Sequence, residues 1–184
     1  MNPKQVIGRY FEGYVMVLFD LVKTEKKEFP DLVSKDDLLG RLLYVEVKSS
    51  KEGGVIKEAQ LKRFGGIADA RRSYALCYHT LTDIEETYPT EGGLIYALNQ
   101  CKKQVYLFPF SIVKAHFEAG KKQIYAGMDR FVHFRQNQAR DIFNKDAGMW
   151  DKLGLDMSDY TTESDVPYIY IIKRKPTDVV QALV

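Results

Sequence analysis

Glu46-Val47-Lys48 places a carboxylate and an ammonium two residues apart in a stretch, Leu42 to Ser49, whose residues alternate. Successive side chains of a strand point to opposite faces, so Leu43, Val45 and Val47 share one side and Tyr44, Glu46 and Lys48 the other. At roughly 3.3 Å per residue, Glu46 and Lys48 stand about 6.6 Å apart. Fourteen residues separate Glu46 from Asp31 of the dipeptide Pro30-Asp31. If the Asp31 strand pairs with the Glu46 strand, the second carboxylate reaches the same spot. Two carboxylates that close repel each other unless a cation sits between them, and hard oxygen ligands with open water positions suit Mg2+ or Mn2+. The Val47 carbonyl, between the two functional side chains, offers a third oxygen. A metal held there would lower the pKa of bound water and polarise a phosphate ester. Lys48 would orient the water and offset charge developing in the transition state. A Glu and a Lys on one strand face also form ordinary ion pairs, so this pair alone names no reaction.

The surrounding elements decide whether these groups can meet. Val6, Tyr10, Tyr14, Val17, Leu18 and Leu21 recur at helical spacing behind Asn2 and Pro3, which predicts a first helix over residues 5–22. Pro30 then suits the entry to a strand at Asp31 to Val33, and Asp36, Asp37 and Gly40 mark a turn before the strand of Glu46. Gly53 and Gly54 break that strand, and Leu61, Phe64, Ile67 and Ala68 predict a helix over residues 55–72. Tyr74 to His79 reads as a buried strand, which makes a strand, helix, strand crossover over one face of a mixed sheet. Farther on, residues 93–101 read as a helix or a strand, 104–108 as a strand, 111–119 as a helix, 123–134 as a strand, 141–155 as a helix and 168–172 as a strand.

At 184 residues the chain suffices for one well-cored domain, and its 12 Tyr and 10 Phe supply the core. Cys77 and Cys101 show no paired spacing, so neither a disulfide framework nor a zinc site is expected, and a reducing cytoplasmic setting fits. No apolar run approaches the roughly 20 residues that cross a bilayer, and no signal-peptide pattern opens the sequence. A net charge of +2 does not announce a nucleic-acid binder, but its distribution is uneven. Lys121, Lys122, Arg130, Arg135 and Arg140 oppose only Asp129, whereas residues 141–165 carry seven acids against Lys145 and Lys152. The three histidines, His79, His116 and His133, lie on separate segments without ligand spacing and carry no expected role.

The sequence resembles the PD-(D/E)XK nuclease superfamily, most closely its archaeal-type Holliday junction resolvase branch. The helix motif G-x-x-x-E appears as Gly8-Arg9-Tyr10-Phe11-Glu12, and E-x-K-S with charged and glycine residues following appears at Glu46 to Gly54. The opening of the second helix is matched by Lys57-Glu58-Ala59-Gln60, and a later F-x-P-F-like segment by Leu107-Phe108-Pro109-Phe110. The resemblance implies a restriction-endonuclease-like α/β fold, a mixed central sheet flanked by helices, over a core of residues 1–112. Residues 113–184, which the resemblance leaves unmatched, are expected to form a C-terminal extension packed on the same domain. It implies a metal-dependent nuclease acting on DNA, as a homodimer. Asp31, Glu46 and Val47 would ligate Mg2+ or Mn2+ with help from Glu12, Lys48 would position water, and Gln60 would orient Lys48 or the substrate. Only eight residues separate Leu21 from Pro30, so the strand usual between first helix and Asp-bearing strand is short, absent or fused, and Asp36 or Asp37 stands as a substitute for Asp31. A basic N-terminal arm is lacking. The alternative is a non-catalytic nucleic-acid-binding or assembly subunit that keeps the nuclease fold, and an RNA-directed nuclease is a third reading.

Overall fold

The computed structural model describes residues 1–24, 30–35, 42–50, 54–67, 71–124 and 129–145. The first helix, α1 (Pro3–Phe19), begins as the sequence predicts: Asn2 caps it by accepting the Lys4 N–H, and Pro3 occupies the first turn, where a missing N–H does no harm. It ends earlier than expected. Asp20 adopts the left-handed conformation at φ 57°, which terminates the helix, and Leu21–Lys23 become a strand, β1. The strand between the first helix and the Asp-bearing segment is therefore short rather than absent.

β1 pairs antiparallel with β2 (Leu32–Ser34), and β2 pairs antiparallel with β3 (Leu43–Ser50). The expected helix over residues 55–72 is a correction. Gly54–Lys57 form a strand, β4, with Ile56 fully buried, and the helix α2 occupies only Glu58–Gly65. The reason is non-local: β4 pairs antiparallel with β7 (Phe131–Phe134), whose partnership no local pattern announces. β5 (Arg71–His79) then runs parallel to β3, as a crossover requires.

Downstream, the short α3 (Ile84–Thr87) precedes α4 (Glu91–Gln100), capped by the Thr90 hydroxyl, so residues 93–101 resolve as helix. β6 (Lys103–Pro109) pairs antiparallel with β5, and α5 (Phe110–Ala119) follows it directly. Of the strand expected over 123–134, the described residues form β7 and a single bridge from Gln123 to Phe131, residues 125–128 lie outside the described residues, and α6 (Gln136–Lys145) follows. Residues 36, 37 and 40, the rest of the 141–155 helix, and the 168–172 strand lie outside the described residues.

The result is a mixed α/β fold. A five-stranded sheet in the order β1-β2-β3-β5-β6, parallel only between β3 and β5, is accompanied by the two-stranded sheet β4-β7. Phe11 and Val15 of α1, Leu43 and Val45 of β3, and the run Ala75 to Tyr78 of β5 are buried in one apolar core. β5 is buried along seven consecutive residues, the pattern of a central strand covered on both faces. Among the described residues, no helix is long and apolar enough to cross a membrane.

Candidate active site

The pleat of β3 sets the geometry. Leu43 and Val45 enter the core, and the alternate residues Glu46 and Lys48 turn toward α2. Lys48 Nζ donates a 2.6 Å hydrogen bond to Gln60 Oε1, so α2 fixes the end of a long, otherwise mobile side chain. Gly54 permits this. A Cβ at that position would lie 2.6 Å from Lys48 Cβ, closer than real atoms approach, so only glycine lets β4 pass the lysine stem.

Asp31 sits one residue before β2. Leu32 pairs with Val45 and Val33 with Tyr44, and one further step of that register brings Asp31 beside Glu46. Asp31 Oδ2 accepts the Val47 N–H at 2.9 Å, which anchors its carboxylate between the two functional residues of β3. Thr24 holds the approach: its hydroxyl donates to the Pro30 carbonyl at 2.8 Å and its N–H to the Asp31 carbonyl at 3.2 Å. Glu12 comes from α1, within electrostatic reach of both Asp31 and Glu46.

Glu46 is only 3% exposed. Burial, reinforced by a hydrogen bond to Asp31 and by the charges of Asp31 and Glu12, pushes its carboxyl far above the ordinary carboxylate range, with Lys48 opposing. A proton shared with Asp31 is the cheapest way for two adjacent carboxyls to coexist without a cation. The other oxygen, Oε2, is buried and lacks a hydrogen-bond partner. Burial lowers the Lys48 ammonium and Lys57 adds to that, while Glu46 and Asp31 pull it back up. Glu12 is raised by burial and by Asp31, against the Lys23 ammonium 3.5 Å away.

The structure thus brings Glu12, Asp31, Glu46, Lys48 and Gln60 to one place, with the Val47 backbone between them. Among the described residues, no group of three or more His, Cys, Asp or Glu side chains is spaced to hold an ion as it stands. The donor set nevertheless fits a hard divalent cation, because the partnerless Glu46 Oε2 and the adjacent carboxylates are the oxygens such an ion takes.

Several contributors escape the sequence reading. Lys23, on β1, pairs with Glu12. Tyr74 lies opposite Glu46 in the parallel register, and its ring packs edge-on against Phe64 of α2 at 5.3 Å. Its hydroxyl is buried without a hydrogen-bond partner, and burial followed by the Glu46 charge raises its pKa. Asp129 accepts the Ala59 N–H while the Arg130 carbonyl accepts that of Glu58, and Arg130 also pairs with the Glu58 carboxylate. These residues satisfy the first N–H groups of the helix that carries Gln60, a task no side chain of Lys57 performs. An acidic residue just before a strand is the only local trace of this.

No protein-family model matches the sequence, and no curated protein matches it. Among solved structures the chain is similar to Hjc, a Holliday junction resolvase from the archaeal hyperthermophile Archaeoglobus fulgidus. The two share 15% sequence identity, and the match covers 72% of this chain and 87% of that one at a TM-score of 0.41. A likeness that loose assigns no chemistry to the chain.

Proposed function

We propose that the chain is a PD-(D/E)XK-type nuclease that hydrolyses DNA phosphodiester bonds, branched or otherwise structured DNA included, with Mg2+ or Mn2+. The observation that carries this reading is the pairing of Asp31 with Glu46 beside a lysine that Gln60 holds on the same pleat. Asp31, Glu46 and the Val47 carbonyl would hold the metal, with Glu12 in support. When bound, the ion supplies an acidified water and a polarised phosphate.

The chain's own residues divide the remaining work. Gln60 restrains Lys48, and a restrained ammonium can orient a water and face the charge that develops on the phosphate. The lowered pKa of Lys48 weakens its grip on protons and makes it a better proton-transfer partner than an exposed lysine. Asp31, anchored by the Val47 N–H, keeps Glu46 from turning away. The free thiols of Cys77 and Cys101 support a cytoplasmic setting. A homodimer belongs to the same reading, and light scattering tests it.

Lys48→Ala should abolish Mn2+-dependent cleavage of linear, branched and single-stranded DNA while leaving the fold intact by circular dichroism. A retained rate refutes the assignment. A second reading, a non-catalytic subunit that binds nucleic acid or an assembly, is favoured by the Lys23 to Glu12 ion pair, which occupies one of the acids. Calorimetric titration separates the two: the nuclease shows a saturable Mn2+ site that disappears in Glu46→Gln, and the binding subunit shows none.

A further inference from the structure

Beyond α2 from Lys48 lies a cleft of about 630 Å3, walled by α2 on one side and α5 on the other, with Arg72 of β5 and Arg130 before β7 at its margins. Its cations are Lys62, Arg72, Lys114, Lys122 and Arg130, and its acids are Glu58 and Glu118, five minus two or a net +3. The entire chain carries only +2. Positive charge is therefore gathered here rather than spread evenly, and locally gathered Lys and Arg, not total charge, confer affinity for phosphates.

Arg72, Lys122 and Arg130 are held in place by contacts within the cleft. Arg72 Nη1 donates to the Gly65 carbonyl at 2.6 Å and the Phe64 carbonyl at 3.2 Å, and its guanidinium lies 4.6 Å over the Phe110 ring. Lys122 Nζ donates to the carbonyls of Glu118 and Gly120 and lies 5.2 Å over Phe117. Arg130 is tied to Glu58, and Lys62 approaches the same carboxylate at 3.5 Å. A fork with five N–H donors or an ammonium with three keeps donor capacity after such contacts. Lys114 is exposed on α5.

We propose that this cleft binds backbone phosphates of the DNA strand flanking the scissile bond. The inference rests on the reading of the chain as a DNA nuclease. Charge complementarity selects the occupant: an apolar or cationic partner would leave a net +3 uncompensated in a concave site. Position agrees, because α2 presents Gln60 to Lys48 on one flank and Leu61, Lys62 and Gly65 to the cleft on the other. A helix is roughly 10 Å across, about three base steps at 3.4 Å of rise, so a strand bound at Lys48 reaches the cleft within a few nucleotides.

The test measures binding of a labelled linear DNA duplex by fluorescence anisotropy in EDTA across a salt series, with no cleavage. Lys62→Gln/Lys114→Gln should weaken binding roughly tenfold at low salt and reduce the log-log salt slope by about 2. Lys4→Gln/Lys102→Gln removes the same charge from exposed positions outside the cleft and should leave both quantities unchanged. Equal weakening by the two pairs, an unchanged cleft variant, or a wild-type protein that does not bind overturns the proposal. Thermal melts establish that both variants are folded. If the cleft pair alone weakens binding but the wild type shows no Mn2+-dependent cleavage, the cleft stands and the nuclease reading falls. If cleavage depends on Lys48 but the cleft variant keeps wild-type affinity, the reverse holds.

Discussion

Replacing Glu46 with Gln should stabilise the metal-free protein near neutral pH while destroying its response to divalent cations. The carboxyl is buried against Asp31, with Glu12 nearby, and its folded pKa is raised far above the ordinary 4.5 that the unfolded chain shows. A raised folded pKa means that the stabilising contribution is complete below about pH 4.5 and is lost progressively as pH rises toward the folded value. At pH 7 the folded carboxyl takes up a proton that the unfolded one lacks, across about 2.5 pH units at 1.36 kcal/mol each, or about 3 kcal/mol. That figure requires only that the folded pKa lie above 7. An amide is close in shape, donates to Asp31 without taking up a proton and is indifferent to pH. The stability difference should therefore be near zero at pH 4 and favour Glu46→Gln by about 3 kcal/mol at pH 7, read as a shift in urea midpoint in EDTA. Mg2+ or Mn2+ should stabilise the wild type and not the variant, with proton release on binding that calorimetry in buffers of different ionisation enthalpy detects. A variant no more stable at pH 7, or a difference that stays constant between pH 4 and pH 7, refutes the reasoning.

Gly54→Ala should cost about 1–3 kcal/mol and reduce cleavage beyond what lost stability explains, because its Cβ collides with the Lys48 stem; thermal melts beside cleavage rates show the split. Asp129→Ala should cost about 1 kcal/mol by uncapping α2 and loosen Gln60 from Lys48, read as a lower urea midpoint and a slower turnover. His116, whose folded pKa is lowered by burial despite the hydrogen bond to the His133 carbonyl, should make stability fall as pH drops through 6.5 and below, since the unfolded imidazole binds the proton more readily. In His116→Gln that part of the acid dependence should disappear from the midpoint-versus-pH curve.

The legible parts of the site are those that follow from a period of two. Glu46 and Lys48 share a face because strands alternate, and Asp31 meets Glu46 because the antiparallel register between β2 and β3 is continued by a single step. Glu12 and Gln60 came from motif resemblance, not from any periodicity, and the structure sets both beside the pair. What stayed illegible is non-local. Val55 and Ile56 look like the opening of an amphipathic helix until β7 pairs with them, and tertiary pairing overrides local propensity. Leu21 likewise fits the helical stripe of α1, and only the left-handed turn at Asp20 diverts it into β1. Lys23 and Tyr74 carry no motif, and their relation to the site depends on which strands become neighbours.

The stapling of α2 by residues 129–131 also sets a schedule for synthesis. On a ribosome Lys48 and Gln60 emerge well before Asp129, whose carboxylate reaches back across 70 positions to the Ala59 amide. Until that stretch emerges, the helix opposite Lys48 lacks its capping acceptors, and the β4 strand that leads into it lacks its β7 partner. Contacts of such sequence separation form late because the loop between them must first be closed. A nascent chain halted before Asp129 would thus display its paired acids without the contact that braces the helix opposite the lysine.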